Sequence, residues 1–232
     1  MMRTGAQYLA GIRDDRRVLC EGEYIKDLTT HPKTADYTKA IAAYYDLHHD
    51  PEHQEHVTFV DDAGVRRSKQ WIWPTNKALA RERRIYTDYI FRQFNAGMWG
   101  RLPCSCNPVM MTMVDEPEAW EKASLIGKGR PFADNIRRFW KDLHDGDLVM
   151  TPMNIDVSRD RSDPTSERPM LTIKNERDDG IIVHGWKAVS TGGIFADHIQ
   201  LGVFFSPGTR PEQVIYARTP VNTPGITHVT RP

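Results

Sequence analysis

The residue with the most distinctive chemistry is Arg101, which sits in the stretch Gly97-Met98-Trp99-Gly100-Arg101-Leu102-Pro103. Its guanidinium is always charged and carries five donors in a planar fork. Two glycines permit backbone conformations closed to other residues, and Pro103 stops a helix from running straight through. A sharp turn presenting one fixed cation suits an anionic or phenolate-like ligand; a helix C-cap with a surface arginine is the alternative reading. His48, His49, His53 and His56 form a second cluster. His49 and His53 are four apart, the spacing of one helix face, but Asp50-Pro51 interrupts any helix there. We expect a polar loop and no metal site. Cys104-Ser105-Cys106 adds two thiols, and Cys20 is the third cysteine. Three cysteines make no even framework for a secreted disulfide fold.

These groups need elements to hold them. Thr4 and Gln7 form a capping box ahead of a helix with Tyr8, Leu9 and Ile12 on one side. Residues 18–20 and 24–25 flank Glu21-Gly22-Glu23, a small hairpin, and a second hairpin joins residues 57–60 and 65–68 through Asp61-Asp62-Ala63-Gly64. His31-Pro32 breaks the chain before a helix carrying Ile41, Tyr44, Tyr45 and Leu47. Trp71-Ile72-Trp73-Pro74 is expected to pack beneath the next helix. Thr75 caps that helix, and Leu79, Tyr86, Ile90 and Phe94 mark its buried side. Residues 109–114 and 132–143 read as further helices, with Met110, Met111 and Met113 as core filler.

After His144-Asp145-Gly146 the pattern changes to short strands at 148–150, 170–174, 181–185, 186–191, 199–205 and 214–217, separated by Gly, Pro and Asp turns. The expected fold class is α+β. A mainly helical domain occupies residues 1–145, and an antiparallel β-barrel or sandwich occupies 146–232. The 232 residues balance 31 basic against 31 acidic side chains, which makes no electrostatic case for nucleic acid or an anionic membrane. The chain has no apolar run long enough to span a bilayer, and Met1-Met2-Arg3-Thr4 lacks the apolar core of a signal peptide, so the cytoplasm is the expected compartment.

Several short motifs then occur in one order: Arg3-Thr4-Gly5, Tyr8-Leu9, Gly22, the run from Asp27 to Pro32, and Gly97-Met98-Trp99-Gly100-Arg101. Thr151-Pro152 with Asp156 follows, and the run from Asp179 to Thr191 completes the set. This ordered set resembles the N-terminal part of the 4-hydroxyphenylacetate 3-monooxygenase family, the flavin-using oxygenase components of two-component systems. The resemblance implies an acyl-CoA-dehydrogenase-like fold: a helical domain, a β domain, and a C-terminal helical bundle that this chain lacks. It implies reduced FAD supplied by a separate flavin reductase, and oxygen used to hydroxylate a small phenol beside its hydroxyl group. It also implies a homo-oligomer when the protein is complete. Arg101 matches the arginine at the phenol. Ser105 stands where a tyrosine is expected, and Asp147 where a histidine is expected. Leu148, Val149, Thr151, Pro152 and Thr191 match positions along the flavin, and Ser206 falls on the substrate side.

With a histidine and a tyrosine replaced, 4-hydroxyphenylacetate is expected to be a poor substrate and a larger or carrier-linked phenol preferred. Plain turn residues remain the alternative for Ser105 and Asp147. Two other readings stand beside the oxygenase. One is an FAD and iron–sulfur enzyme like 4-hydroxybutyryl-CoA dehydratase, suggested by Cys104 and Cys106. The other is a non-catalytic module. The chain is expected to be a fragment, a truncation or one half of a split enzyme, with an unpaired edge in its β domain.

Overall fold

The structure, a computed structural model, describes residues 2–94, 107–126, 131–158, 160, 162–163, 169–203 and 209–231. Arg101, Ser105, Ser206, Cys104 and Cys106 lie outside the described residues, as does the whole stretch 97–103.

The chain opens with α1 (Gly5–Gly11), and the Thr4/Gln7 capping box is formed reciprocally. The first hairpin, β1 (Arg17–Cys20) and β2 (Glu23–Ile25), turns through Glu21 and Gly22, both at positive φ. A two-residue turn of this hand matches the twist of the strands it joins. Helix α2 (Ala35–Leu47) buries Ile41, Tyr44 and Tyr45. A single turn, α3 (Gln54–Val57), leads into the second hairpin, β3 (Thr58–Val60) and β4 (Arg66–Ser68). There Asp61 Oδ1 accepts the Ala63 and Val65 amides and so fixes the loop.

Helix α4 (Lys77–Gln93) is capped by Asn76, whose side chain accepts the Ala78 and Leu79 amides. The expected cap, Thr75, is one residue early; Asn reaches the amides two and three residues on as well as threonine does. Trp71 does not pack mainly under α4. It stands edge-on to Trp140, 5.6 Å between centroids, while Arg83 of α4 takes the Ile72 carbonyl.

Helix α5 (Asn107–Asp115) buries Met110 and Met111, and α7 (Phe132–Gly146) buries Phe139 and Leu143. Between them lies α6 (Pro117–Ile126), which was not anticipated. Its signal is Pro117 at the first helical position, where a missing amide costs nothing.

Strands follow: β5 (Met150–Met153), β6 (Thr172–Arg177), β7 (Gly180–His184), β8 (His198–Leu201), β9 (Ala217–Pro220) and β10 (Thr227–Thr230). β6 and β7 form a hairpin around Asp178-Asp179. The expected antiparallel barrel or sandwich needs correction. Among the described residues there is no closed barrel but several small sheets, and two of the pairings are parallel. β5 pairs with β8 in parallel, and β10 pairs with β1 in parallel. The reason is connectivity: the strands lie far apart in sequence, so no tight turn forces them antiparallel. Several strand limits also shift. β5 begins two residues later than expected, residues 186–191 make only isolated bridges, and β9 begins where the strand expected at 214–217 ends.

Helices do give way to strands near residue 145, but the packing does not divide there. One apolar cluster contains Tyr8, Val18, Tyr45 and Ile90 together with Val149, Phe195, Ile199 and Val221. β10, within the expected β region, pairs with β1 of the N-terminal hairpin and not with another described strand of that region.

Candidate functional site

Asp147 follows α7 in the left-handed conformation, with φ 49°, which aspartate tolerates better than most residues. This turn aims its carboxylate inward, and the residue is 2 % exposed. Oδ1 accepts Gln70 Nε2 at 2.8 Å and Trp71 Nε1 at 2.6 Å, and Oδ2 accepts the Arg3 amide at 3.2 Å. The Asp147 carbonyl accepts the Tyr45 hydroxyl at 2.8 Å. Three separate parts of the chain therefore meet at this one residue.

The positions expected along the flavin start immediately after it. Leu148 packs on the Trp71/Phe139 cluster. The Val149 amide donates to Asp197 Oδ2 at 2.8 Å, and the same oxygen receives Arg3 Nη1 at 2.8 Å. Thr151 is fully buried, and its hydroxyl donates to the Thr191 carbonyl at 3.0 Å. The Pro152 carbonyl accepts Ser190 Oγ at 3.2 Å. The fold thus joins Thr151 and Pro152 to the Ser190-Thr191 turn across forty residues of sequence. Gly193 allows this approach, since a Cβ there would lie 2.9 Å from Ser190 Oγ. Asp156 and Lys187, two further motif residues, form a buried ion pair.

The four clustered histidines do not converge on one point, and His53 and His56 share Tyr89. His48 is buried; its Nδ1 donates to the Tyr44 carbonyl, so Nε2 is the acceptor for the Ser68 hydroxyl. Burial holds it neutral by lowering its pKa. His49 faces the Arg3 carbonyl, His53 the Tyr89 hydroxyl, and His56 stacks on the Tyr89 ring.

A cavity of about 870 Å³ lies between α5, α6 and α7 on one side and β8, β9 and the β6–β7 hairpin on the other. Its volume is in the range of small-molecule sites. Met110, Trp120 and Phe139 supply apolar and aromatic wall. The polar wall is on the strands, where His198 and Gln200 alternate on β8 and Arg218 on β9 is the register partner of Gln200.

Arg218 stacks over Phe139, 3.4 Å from the ring centroid, and donates to His198 Nε2 at 2.9 Å. Burial lowers its pKa to about 10, with Asp142 pulling the other way. Burial, and then the Arg218 charge, push His198 down to about 4 against the pull of Asp197, the Thr219 backbone and Asp142. At neutral pH the pair is therefore one cation and one neutral imidazole. Gln200 is 4 % exposed, and its Oε1 accepts no hydrogen bond from the described residues. Asn154 Oδ1, just past β5, is a second buried acceptor with no partner among the described residues. Sequence reasoning did not single out His198, Gln200 or Arg218. Two polar residues two apart within a strand were the available signal.

The model of the 4-hydroxyphenylacetate 3-hydroxylase N-terminal region matches residues 4–232. The chain belongs to the 4-hydroxyphenylacetate 3-hydroxylase family. It is 47% identical over 234 residues to a Rhodococcus opacus oxygenase component named 4-nitrophenol 4-monooxygenase/4-nitrocatechol 2-monooxygenase, with 99% of this chain and 44% of that protein covered. It is 42% identical over 233 residues to a 2,4,6-trichlorophenol monooxygenase of Cupriavidus pinatubonensis, with 100% of this chain and 45% of that protein covered. Among solved structures it superimposes with a TM-score of 0.84, at 27% identity, on the oxygenase component of 4-hydroxyphenylacetate 3-monooxygenase complexed with FAD. That match covers 98% of this chain and 46% of the other. The chain therefore spans about half the length of the relatives it matches, and its fold is that of the family's N-terminal portion. Among the described residues, no helix is long and apolar enough to cross a membrane.

Proposed function

We propose that this chain is the N-terminal portion of a flavin-dependent monooxygenase that hydroxylates a small phenol beside its hydroxyl group, with reduced FAD supplied by a separate reductase. The carrying observation is the family match over residues 4–232, together with 47% and 42% identity to relatives named for nitrophenol and trichlorophenol. Identity falls to 27% for the solved 4-hydroxyphenylacetate enzyme. These names favour a small phenol with electron-withdrawing substituents over the larger or carrier-linked phenol expected from the sequence.

The residues present fit a flavin. Thr151, Pro152, Ser190 and Thr191 are gathered at one edge of β5, where Pro152 and Thr191 keep exposed surface. Leu148, Pro152 and Thr191, which keep some exposed surface, would contact the ring, with the fully buried Val149 and Thr151 fixing them in place, and the bound flavin would supply the oxygen chemistry. The chain's own part is to orient the phenol, favour its anion and keep water out. Arg101 has the charge for the second task, with Ser105 and Ser206 completing the phenol contacts. Asp147 acts at one remove: its oxygens are taken, so it serves by fixing the start of β5.

The test is turnover of 4-nitrophenol by the complete polypeptide containing this chain, given reduced FAD and oxygen. Arg101→Ala should lower turnover by about tenfold to a thousandfold, the range for losing one charge-stabilising donor. Arg101→Lys should recover little, because the fork is lost. Unchanged turnover in the alanine variant would show that Arg101 is a surface cap.

A further inference from the structure

Val189 holds a backbone conformation that its own side chain opposes. Its φ is 52°, in the left-handed region, where a β-branched residue is a genuine outlier. The corner is fixed from both sides. On one side the Ala188 amide donates to the Ile155 carbonyl at 2.8 Å, and Lys187 forms its buried ion pair with Asp156. On the other, Ser190 Oγ donates to the Pro152 carbonyl, and the Thr191 carbonyl accepts the Thr151 hydroxyl. Glycine or asparagine would adopt this conformation with less strain, and three residues on a glycine, Gly192, takes φ 72°. Strain of this kind persists only where the surroundings fix it, and it clusters at ligand sites. Packing within the fold does not offset it, because Val189 is 65% exposed and belongs to neither apolar cluster of the described residues. Two more apolar side chains are exposed nearby. The Ile155–Ala188 bridge puts Ile155 on one face with Ala188 and Trp186, opposite the face of Asp156 and Lys187. Ile155 is 43% and Trp186 58% exposed.

We infer that Val189 is a contact residue for the flavin ring, its isopropyl group held outward by the left-handed corner so that it extends the edge formed by Pro152 and Thr191. The occupant follows from position. Val189 lies between the tie to Ile155 and the tie to Pro152, two residues before Thr191. Pro152 and Thr191 keep exposed surface at that edge. A flat ring with apolar faces, laid against these two residues, reaches the side chain between the ties. Glycine would give the same turn without the contact, whereas valine gives the contact and strains the turn. The strain is present in the flavin-free protein, and the contact offsets it only when the ring is bound. Removing the side chain should therefore move stability and flavin affinity in opposite directions, which a valine of purely structural use would not do. The identity of the ligand rests on the flavin reading above, whereas the strained corner does not.

Binding can be read without turnover, by anaerobic equilibrium dialysis of the complete polypeptide containing this chain against reduced FAD and against reduced riboflavin. Val189→Gly should weaken both by about fivefold, the worth of covering most of a valine side chain. Riboflavin lacks the phosphates and the adenylate, so an equal loss places the contact on the ring. In the flavin-free protein the same substitution should raise the melting temperature by roughly 2–4 °C, through relief of the left-handed strain. Val189→Asn, at ease in this conformation but polar, should also raise the melting temperature and weaken both flavins. Val189→Ile, apolar and β-branched, should keep the parental melting temperature and bind both flavins within roughly twofold of the parent. The contact is overturned if Val189→Gly binds both flavins as the parent does, or if the loss appears with FAD and not with riboflavin. It is also overturned if the flavin-free variant melts below the parent, as it would if another part of the polypeptide covers the side chain. A parent that binds no reduced flavin overturns the contact and the oxygenase reading together. If the affinities fall as stated but the parent hydroxylates no phenol, the oxygenase reading fails and the contact stands. If the parent hydroxylates a phenol and Val189→Gly leaves both affinities unchanged, the contact fails and the oxygenase reading stands.

Discussion

Asp147 and Gln200 are both polar side chains buried within a few per cent of completely, and they differ in one respect. Both carboxylate oxygens of Asp147 are taken, by Gln70, Trp71 and the Arg3 amide. Gln200 holds an oxygen that none of the described residues takes. A satisfied interior polar group ties elements together, and its loss leaves several donors stranded. An unsatisfied one ties nothing together and carries only a desolvation cost. The two regions should therefore respond to mutation differently, the first with a large loss of stability and the second with little or none.

The strongest break in that contrast is Asp147→Ala. It strands three donors, and at about 1–3 kcal/mol each the chain should lose roughly 3 kcal/mol or more. Urea unfolding measures this, and a loss under about 1 kcal/mol would show that the contacts are not the tie described here. Asp147→Asn keeps one acceptor and should lie between the two.

Next in size is the response to acid. Burial depresses the pKa of His48 beside the Asp147 region and that of His198 in the cavity, with His144 and His228 moving the same way. A histidine with a depressed folded pKa binds its proton more readily when unfolded. Its stabilisation is complete above the ordinary histidine value of 6.5 and is lost as pH falls toward the folded value, about 4 for His198. The melting temperature should be lower at pH 5 than at pH 7.5. The drop should shrink in His48→Gln and, to a smaller degree, in His198→Gln. Equal melting temperatures at the two pH values would sink this.

Arg218→Met should change stability by less than about 1 kcal/mol in either direction, because the lost stacking on Phe139 is offset by relief from burying a weakly compensated charge. The smallest effect should come from Gln200→Leu, which removes an unpaired acceptor and should leave stability equal or raised by roughly 0.5 kcal/mol in the same urea assay. Destabilisation by several kcal/mol in either variant would place the cavity wall with the structural ties.

The sequence disclosed these regions unevenly, for physical reasons. The capping box at Thr4 and the two hairpins were legible because their signals are local, a few residues deciding their own geometry. The side chains of Ile41, Tyr44, Tyr45, Tyr86 and Ile90 followed helical spacing into the core. What stayed hidden was long-range. No local pattern says that β5 lies parallel to β8, or that β10 returns to β1, because register is decided by packing between distant segments. The role of Asp147 was hidden in the same way, since its partners come from residues 3, 45, 70 and 71. Thr151 and Thr191 could be paired only through the family resemblance, and the fold then brought them within a hydrogen bond. The wall of His198, Gln200 and Arg218 needed β8 and β9 in register before it existed as a site at all.

The pairing of residues 17–20 with residues 227–230 also imposes an order in time. The ribosome delivers β1 early and β10 only after the intervening segments have emerged. Throughout that interval one side of β1 carries amides and carbonyls with no strand to meet them, a template for pairing with a neighbouring nascent chain. Contacts so far apart in sequence also form slowly once the chain is free, because a long loop must close first. For this chain the vulnerable period is its synthesis, and a chaperone that shields β1 until β10 arrives should raise the yield of folded protein.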